Sequence, residues 1–260
     1  MQAKRSLSQN FLSSSAIAGA LADAVTYEPD GTVLEIGPGK GIVTKELLGR
    51  AKKVVAIEKD DDLFVTLQDT FSDEIASGQL QLVHGDALDL SAKDLGLKNQ
   101  RFSIAANIPY NITGALLRHL LSDPVQPKSL AFLVQKEVAQ RIVARDSKES
   151  ILSLSVKAYG TPKYVKTVKA GSFHPKPRVD SAIFSLSNIS RDNFSTAKHE
   201  ERYFELVKAG FAQKRKKLAG NLRQVMSGED IEKALEACSV SPSARAETLS
   251  LQQWLCIAAR

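Results

Sequence analysis

Four short groups of residues have the types and spacing that chemistry needs. Asn107-Ile-Pro-Tyr combines a side-chain amide, a backbone carbonyl at Ile108 aimed by Pro109, and the aromatic ring of Tyr110. An exocyclic aromatic amine is a weak nucleophile because its lone pair is delocalised into its ring. A site sharpens it by accepting both N–H bonds while the base stacks on an aromatic face. Positioning is then most of the catalysis, and no strong general base is needed. Glu35-Ile-Gly-Pro-Gly-Lys-Gly places glycines at 37, 39 and 41, a G-x-G-x-G spacing in which position 42 is Ile. Bare glycines let a ligand lie against the backbone. The dinucleotide version of such a loop, G-x-G-x-x-G, aims a helix at a pyrophosphate. The shifted spacing favours S-adenosylmethionine, which has no phosphate, over NAD. Glu58, 17 positions after Gly41, is placed to accept both ribose hydroxyls of an adenosine. Asp86 is placed to accept from the adenine amino group, although an isolated Asp at such a point also reads as an Asx-turn.

The elements that must position these groups follow from hydropathy. Thr32–Ile36, Lys53–Ile57, Leu80–His84, Phe102–Ala106 and Leu130–Val134 are short apolar strands. Helical patterns lie between or after them, at 42–48, 63–71, 114–121 and 136–144. This alternation predicts an α/β fold with a doubly wound, Rossmann-like parallel sheet. Gly37, Glu58, Asp86 and Asn107 all fall at or just past strand ends, where open α/β sheets bind ligands. After residue 150 the rhythm changes. Ile151–Ala158, Tyr164–Val168 and Ala182–Leu186 read as strands of an antiparallel extension. Residues 187–200 read as a polar linker, and 203–260 as several short helices. The expected domains are a catalytic, cofactor-binding domain over 1–187 and a small all-α domain over 188–260.

Charge is distributed unevenly. Residues 1–127 hold 12 Lys/Arg against 16 Asp/Glu; 128–180 hold 11 against 4; 191–260 hold 12 against 9. The basic surplus is local, as a surface meeting a polyanion requires. Phe173-His-Pro-Lys-Pro-Arg-Val-Asp-Ser offers a second aromatic, Phe173, to close over a splayed base, and Lys176 and Arg178 to meet phosphates. His174 has no carboxylate, Ser or Cys partner by spacing and reads as a loop or RNA-contacting residue. Lys214, Arg215, Lys216 and Lys217 form a run of four cations, expected on a helix and assigned to RNA contact.

No apolar run approaches the roughly 20 residues that cross a bilayer, and no apolar segment follows the basic start, so a cytoplasmic protein is expected. Cys238 and Cys256 are the only cysteines. They read as two ordinary helix thiols in a reducing compartment, and no metal site is expected.

Taken in order, Gln9-Asn-Phe-Leu, the glycine loop, Glu58, Gly85-Asp86, Asn107-Ile-Pro-Tyr, Gln135-Lys-Glu-Val and Phe173-His-Pro-Lys-Pro-Arg-Val-Asp-Ser resemble the rRNA adenine N6,N6-dimethyltransferase superfamily, from about residue 5 to the end. The resemblance implies S-adenosylmethionine as donor, S-adenosylhomocysteine as product and ribosomal RNA as partner. It adds Asn10 and Leu12 as cofactor contacts. It also supports Gly37, Glu58, Asp86 and Asn107; Gly39 is assigned to the cofactor from the glycine loop itself. Phe211-Ala-Gln-Lys-Arg-Lys-Lys-Leu-Ala-Gly-Asn-Leu and Arg245-Ala-Glu-Thr-Leu-Ser-Leu resemble the kasugamycin-sensitivity branch, which dimethylates two adjacent adenines of the 3′-terminal hairpin of small-subunit rRNA during assembly. Ile108 and Phe173-His-Pro-Lys-Pro resemble instead the erythromycin-resistance branch, which methylates a large-subunit adenine. The first branch is favoured, with a pre-small ribosomal subunit as partner and a monomer expected. A catalytically silent assembly factor on the same fold is the reading from a different class.

Overall fold

The computed structural model describes residues 10–109 and 112–260. Gln9 and Tyr110, both singled out above, lie outside them. The strands are β1 (Phe11–Leu12), β2 (Thr32–Ile36), β3 (Lys53–Glu58), β4 (Leu80–His84), β5 (Phe102–Asn107), β6 (Ser129–Gln135), β7 (Thr161–Val168), β8 (Phe173–His174) and β9 (Ser181–Ser187). The helices are α1 (Ser15–Ala22), α2 (Ile42–Leu48), α3 (Asp61–Thr70), α4 (Ser72–Ala76), α5 (Thr113–Ser122), α6 (Lys136–Ile142), α7 (Ile151–Lys157), α8 (Ala197–Gly210), α9 (Leu218–Leu222), α10 (Gly228–Ala237) and α11 (Leu251–Ala258). The chain divides into two compact units. One takes Met1–Ala139 and Thr161–Ile189, the other Gln140–Gly160 and Ser190–Arg260.

The first unit is an α/β layer structure around one seven-stranded sheet in the order β4-β3-β2-β5-β6-β9-β7. From β4 to β6 all neighbours are parallel; β9 and β7 extend the sheet antiparallel. Val33, Val54, Ile104, Leu130 and Phe132 are almost wholly buried. Strands covered on both faces read as near-continuous apolar runs, and here Glu35 and Ser103 are the interior exceptions. The outer strands β4 and β7 are more exposed, and β7 alternates exposed and half-buried residues as far as Val165. The connections run one way from β2 through β3 to β4 and the other way from β5 to β6. The order therefore reverses between β2 and β5, and a crevice opens above their carboxyl ends. A separate two-stranded ribbon pairs β1 with β8, Leu12 opposite Phe173. Ser13 reinforces it, its backbone N–H and hydroxyl both donating to the Ser172 carbonyl at 2.9 Å.

The second unit is helical. Trp254, Tyr203, Leu206 and Leu222 are fully buried in it. Gly210 has no room for a side chain, because a Cβ there would lie 2.4 Å from the Trp254 ring. The polar stretch after residue 187 is irregular but packed. The Phe194 ring meets Tyr159 and Tyr203 edge-on, and the Asn193 amide donates to the Ala158 carbonyl at 2.8 Å.

Three expectations are corrected here. Ile151–Ala158 is not a strand; α7 occupies Ile151–Lys157 and belongs to the helical unit. Ser150 and Ser153 form a reciprocal capping box that starts a helix at this point. Lys214–Lys217 do not sit on a helix but in the turn between α8 and α9. Asn221, anchored in α9, holds that turn by donating to the carbonyls of Gly210 and Gln213. Cys238 and Cys256 are not free thiols. Cys238 ends α10 and Cys256 lies within α11, and the two form a disulfide with their Cα atoms 5.8 Å apart.

Candidate active site

The crevice at the β2/β5 reversal is a cleft of about 260 Å³, many times the roughly 30 Å³ share of one water. It gathers Asn10, Leu12, Gly37, Gly39, Glu58, Asp86, Asn107, Ile108, Pro109 and Phe173 along one wall or another. These come from separate stretches of sequence, yet each lies at a strand end, in a loop that follows one, or in or beside the β1–β8 ribbon. Phe11, Lys40, Lys59 and Ile112 also line the cleft and were not singled out from sequence.

The glycine loop leaves β2 with Gly37, Gly39 and Gly41 all at positive φ, and α2 starts after Gly41. Gly39 and Gly41 have different reasons to be glycine. A Cβ on Gly39 would sit 3.3 Å from the Phe11 ring, which covers that face, and the Lys40 ammonium lies over the same ring at 4.9 Å. A Cβ on Gly41 would lie 2.5 Å from Phe71, so Gly41 serves helix packing rather than the cleft.

Glu58 ends β3 and is 5% exposed. Its carboxylate accepts from the Gly39 N–H at 3.0 Å and from the Asp60 N–H at 2.9 Å, so it fixes the glycine loop as well as facing the cleft. Burial pushes its pKa up, and those N–H groups pull the other way. Asp60 caps α3 by accepting from Asp62 and Leu63. Asp86 has the opposite environment. Lys59 donates to it at 2.6 Å and Leu88 N–H at 2.9 Å, which hold its carboxyl below the usual range. The Asx-turn reading of Asp86 is therefore correct as geometry, and the residue still lines the cleft. It is an ionised acceptor, suited to an amino group.

Asn107 ends β5. Its amide nitrogen donates to the Asn10 carbonyl at 3.4 Å, which turns the side-chain oxygen to the opposite side as an acceptor. Ile108 is buried, and its N–H donates to the Leu133 carbonyl at 3.2 Å, so the chain keeps the β5 direction into Pro109. Phe173 is 4% exposed and belongs to the same apolar cluster as Leu12, Leu133 and Val168. It therefore has a fixed backing, and it also lines the cleft. His174, Lys176 and Arg178 are exposed and do not line it. Among the described residues no cluster of His, Cys, Asp and Glu is arranged to hold a metal ion.

Glu35, the first residue of the glycine motif, lies beneath the loop at 1% exposure, and its Oε2 has no hydrogen-bond partner. Desolvation pushes its pKa up to about 8; the polar groups of Thr44 oppose the shift and the Glu58 charge adds to it. Folded, it keeps its proton to about pH 8; unfolded, it loses it near 4.5. Across that window the unfolded state holds fewer protons, so stability falls as pH rises, with a limiting slope of about 1.4 kcal/mol per pH unit. Glu35→Gln is expected to flatten this decline. Thermal melts from pH 5 to pH 9 on both proteins check it, and parallel curves would remove Glu35 as the source.

Four exposed cations in the helical unit, Lys214, Arg215, Lys216 and Lys217, form no ion pair with any described residue. No described helix is long and apolar enough to cross a membrane.

The whole chain, residues 1–260, matches the ribosomal RNA adenine dimethylase family. It is 38% identical over 261 residues to the ribosomal RNA small subunit methyltransferase A of Dehalococcoides mccartyi, with 99% of this chain and 88% of that protein covered. A dimethyladenosine transferase from Plasmodium falciparum superposes with a TM-score of 0.80 at 25% identity over 95% of each chain. The 23S rRNA methyltransferase ErmE superposes with a TM-score of 0.78 at 27% identity, covering 96% of this chain and 98% of its own.

Proposed function

Because the chain belongs to the ribosomal RNA adenine dimethylase family, we propose that it dimethylates N6 of two adjacent adenines in the 3′-terminal hairpin of small-subunit rRNA during ribosome assembly in the cytoplasm. It is an rRNA adenine N6-methyltransferase. The observation that carries the residue assignment is the Asn107–Asn10 bond, which presents the Asn107 oxygen as an acceptor in the cleft that Phe173 also lines.

The donor pocket fits S-adenosylmethionine by the chemistry of its donors and acceptors. Glu58 accepts from vicinal hydroxyls, Asp86 from an amino group, and the loop from Gly37 to Gly39 offers backbone with no Cβ in the way. Asn10 and Leu12 complete the wall. Bound there, S-adenosylmethionine supplies a methyl group on a positively charged sulfur. Asn107 Oδ1 and the Ile108 carbonyl accept the two N6–H bonds of a splayed adenine, which raises the electron density on nitrogen. Pro109 limits the carbonyl's freedom, and Phe173 is assigned to stack on the base, the role the motif also assigns to Tyr110, outside the described residues. The nitrogen sheds its proton to water once it carries the methyl group, so no basic side chain is assigned.

The catalytic role is assigned to the unit of Met1–Ala139 and Thr161–Ile189 and RNA contact to the helical unit of Gln140–Gly160 and Ser190–Arg260, through Lys214–Lys217, with Lys176 and Arg178 adding contacts from the loop after Phe173. Reversing the four charges at 214–217 is expected to raise the Kd for rRNA at least about tenfold. It should also lower the slope of log K against log salt by about 0.7 to 0.9 for each phosphate that is no longer neutralised. Filter binding between about 50 and 200 mM salt reads both; an unchanged slope makes the run a solvated turn.

The test of the function is transfer of labelled methyl from S-adenosylmethionine to under-methylated small subunits and to protein-free large-subunit rRNA, with the modified base mapped. Dimethyladenine at two adjacent small-subunit positions supports the proposal. Label on large-subunit RNA alone replaces it with the erythromycin-resistance reading.

A further inference from the structure

Strand β7 is one of the two edge strands of the seven-stranded sheet. Thr161, Lys163, Val165 and Lys166 are all exposed. The register with β9 slips between Tyr164 and Lys166, which puts Val165 and Lys166 side by side on the solvent side instead of on opposite faces. The strand then runs through Lys169 into the loop that carries Lys176 and Arg178. That loop is pinned at its base. Asp180 accepts from the Ala170 N–H and from the Lys169 ammonium, both at 3.1 Å, and its carbonyl accepts from the Lys136 N–H at 3.0 Å.

From Thr161 to Asp180 there are five Lys or Arg and a single acid, Asp180, and Lys169 alone is paired with it. Lys163, Lys166, Lys176 and Arg178 make no ion pair with any described residue. Two of the few large apolar side chains left exposed in the described residues, Val165 at 41% and Val179 at 44%, are interleaved with these cations. Unpaired cations match the phosphates of a nucleic acid strand, and exposed methyl groups beside them offer apolar contact to its unstacked bases. Lys163 to Lys169 spans about 20 Å at strand spacing. Four residues after Lys169 the chain reaches Phe173, which lines the cleft.

We propose that the β7 edge, with Lys163, Val165 and Lys166 followed by Lys176, Val179 and Arg178, is a track for the single-stranded RNA that flanks the target adenine. This rests on the reading of the protein as an rRNA methyltransferase and adds to it where the strand leaves the cleft. Lysines on an edge strand also discourage edge-to-edge pairing of sheets. That role accounts for Lys163 and Lys166. It leaves Lys176 and Arg178, which are off the strand, without a reason, and exposed valines work against it.

The experiment compares the full chain with Lys163→Ala/Lys166→Ala by fluorescence anisotropy on a single-stranded oligoadenylate, between about 50 and 200 mM salt. The expected result is a Kd raised about tenfold and a salt slope lower by about 1.4, as two fewer single-strand phosphates are neutralised. Lys163→Arg/Lys166→Arg is expected to keep the wild-type slope. In methyl transfer the alanine variant should show a raised KM for RNA with kcat and the Kd for S-adenosylmethionine unchanged. A wild-type Kd and slope in the alanine variant overturn the track. If that variant also dimerises in sedimentation, the lysines guard the edge instead. Should wild-type protein bind the oligoadenylate through these lysines yet methylate no rRNA, the functional reading fails while the track stands.

Discussion

Asn107→Ala is expected to lower kcat/KM for methyl transfer by about 10²- to 10³-fold, the cost of removing one preorganised polar group from a reacting centre. The side chain sits at the end of a strand whose preceding residues are almost wholly buried, and its amide nitrogen is held by the Asn10 carbonyl. Truncation therefore removes an aimed acceptor without disturbing the core. The melting temperature should move by no more than a few degrees, because Asn107 is only partly buried. Initial rates with labelled S-adenosylmethionine, together with a thermal melt, separate the two effects. Wild-type turnover in the variant would remove Asn107 from the mechanism.

Glu58→Ala is expected to raise the Kd for S-adenosylmethionine by about 10²-fold. Two hydrogen bonds from ribose hydroxyls to a charged acceptor are together worth about 3 kcal/mol, which is a factor of roughly a hundred. The loss has a second component. The Gly39 N–H and the Asp60 N–H both lose their acceptor, so the glycine loop and the start of α3 loosen together. Glu58→Gln keeps an acceptor and should lose about tenfold, the equivalent of roughly 1.4 kcal/mol. Titration calorimetry with S-adenosylhomocysteine reads both variants without any RNA. Equal affinity in wild type and Glu58→Ala would leave Glu58 a purely structural residue.

Where burial is complete, the fold is legible in the residues. β2, β3, β5 and β6 are covered on both faces, so each is a largely apolar run, broken inside only by Glu35 and Ser103, and ended by a polar or glycine residue. The residues at the ends of β2, β3 and β5 are among those the cleft gathers, because a parallel sheet sends all its carboxyl ends to one side. Local and reciprocal contacts are less legible. Ile151–Ala158 offers Leu152, Leu154 and Val156 at a two-residue spacing, which mimics a strand; the Ser150–Ser153 capping box is the one local signal for the helix it forms. The β1–β8 ribbon has two residues per strand and no periodicity to read. The Lys59–Asp86 pair and the Cys238–Cys256 bond join residues with nothing in their flanks to announce a partner. Lys214–Lys217 look helical because Lys and Arg favour helices, yet the segment turns, held by the Asn221 amide.

The Phe11–Phe173 side of the cleft has a consequence for the order in which the protein is made. Ser13 and Ser172 are 159 residues apart in the chain, and Phe11, Leu12 and Phe173 of the ribbon beside them line one side of the cleft. On a translating ribosome β2, β3, β5 and β6 all emerge before β8 does, and they can pair while the wall is still unsynthesised. Closing so long a loop costs little more than closing one of half its length, so the ribbon forms once residue 174 is free. The cleft is thus closed after its parallel strands, with only β9, which joins β7 to β6, still to be added. A ligand that needs this wall meets β2 to β6 already paired and does not guide their assembly.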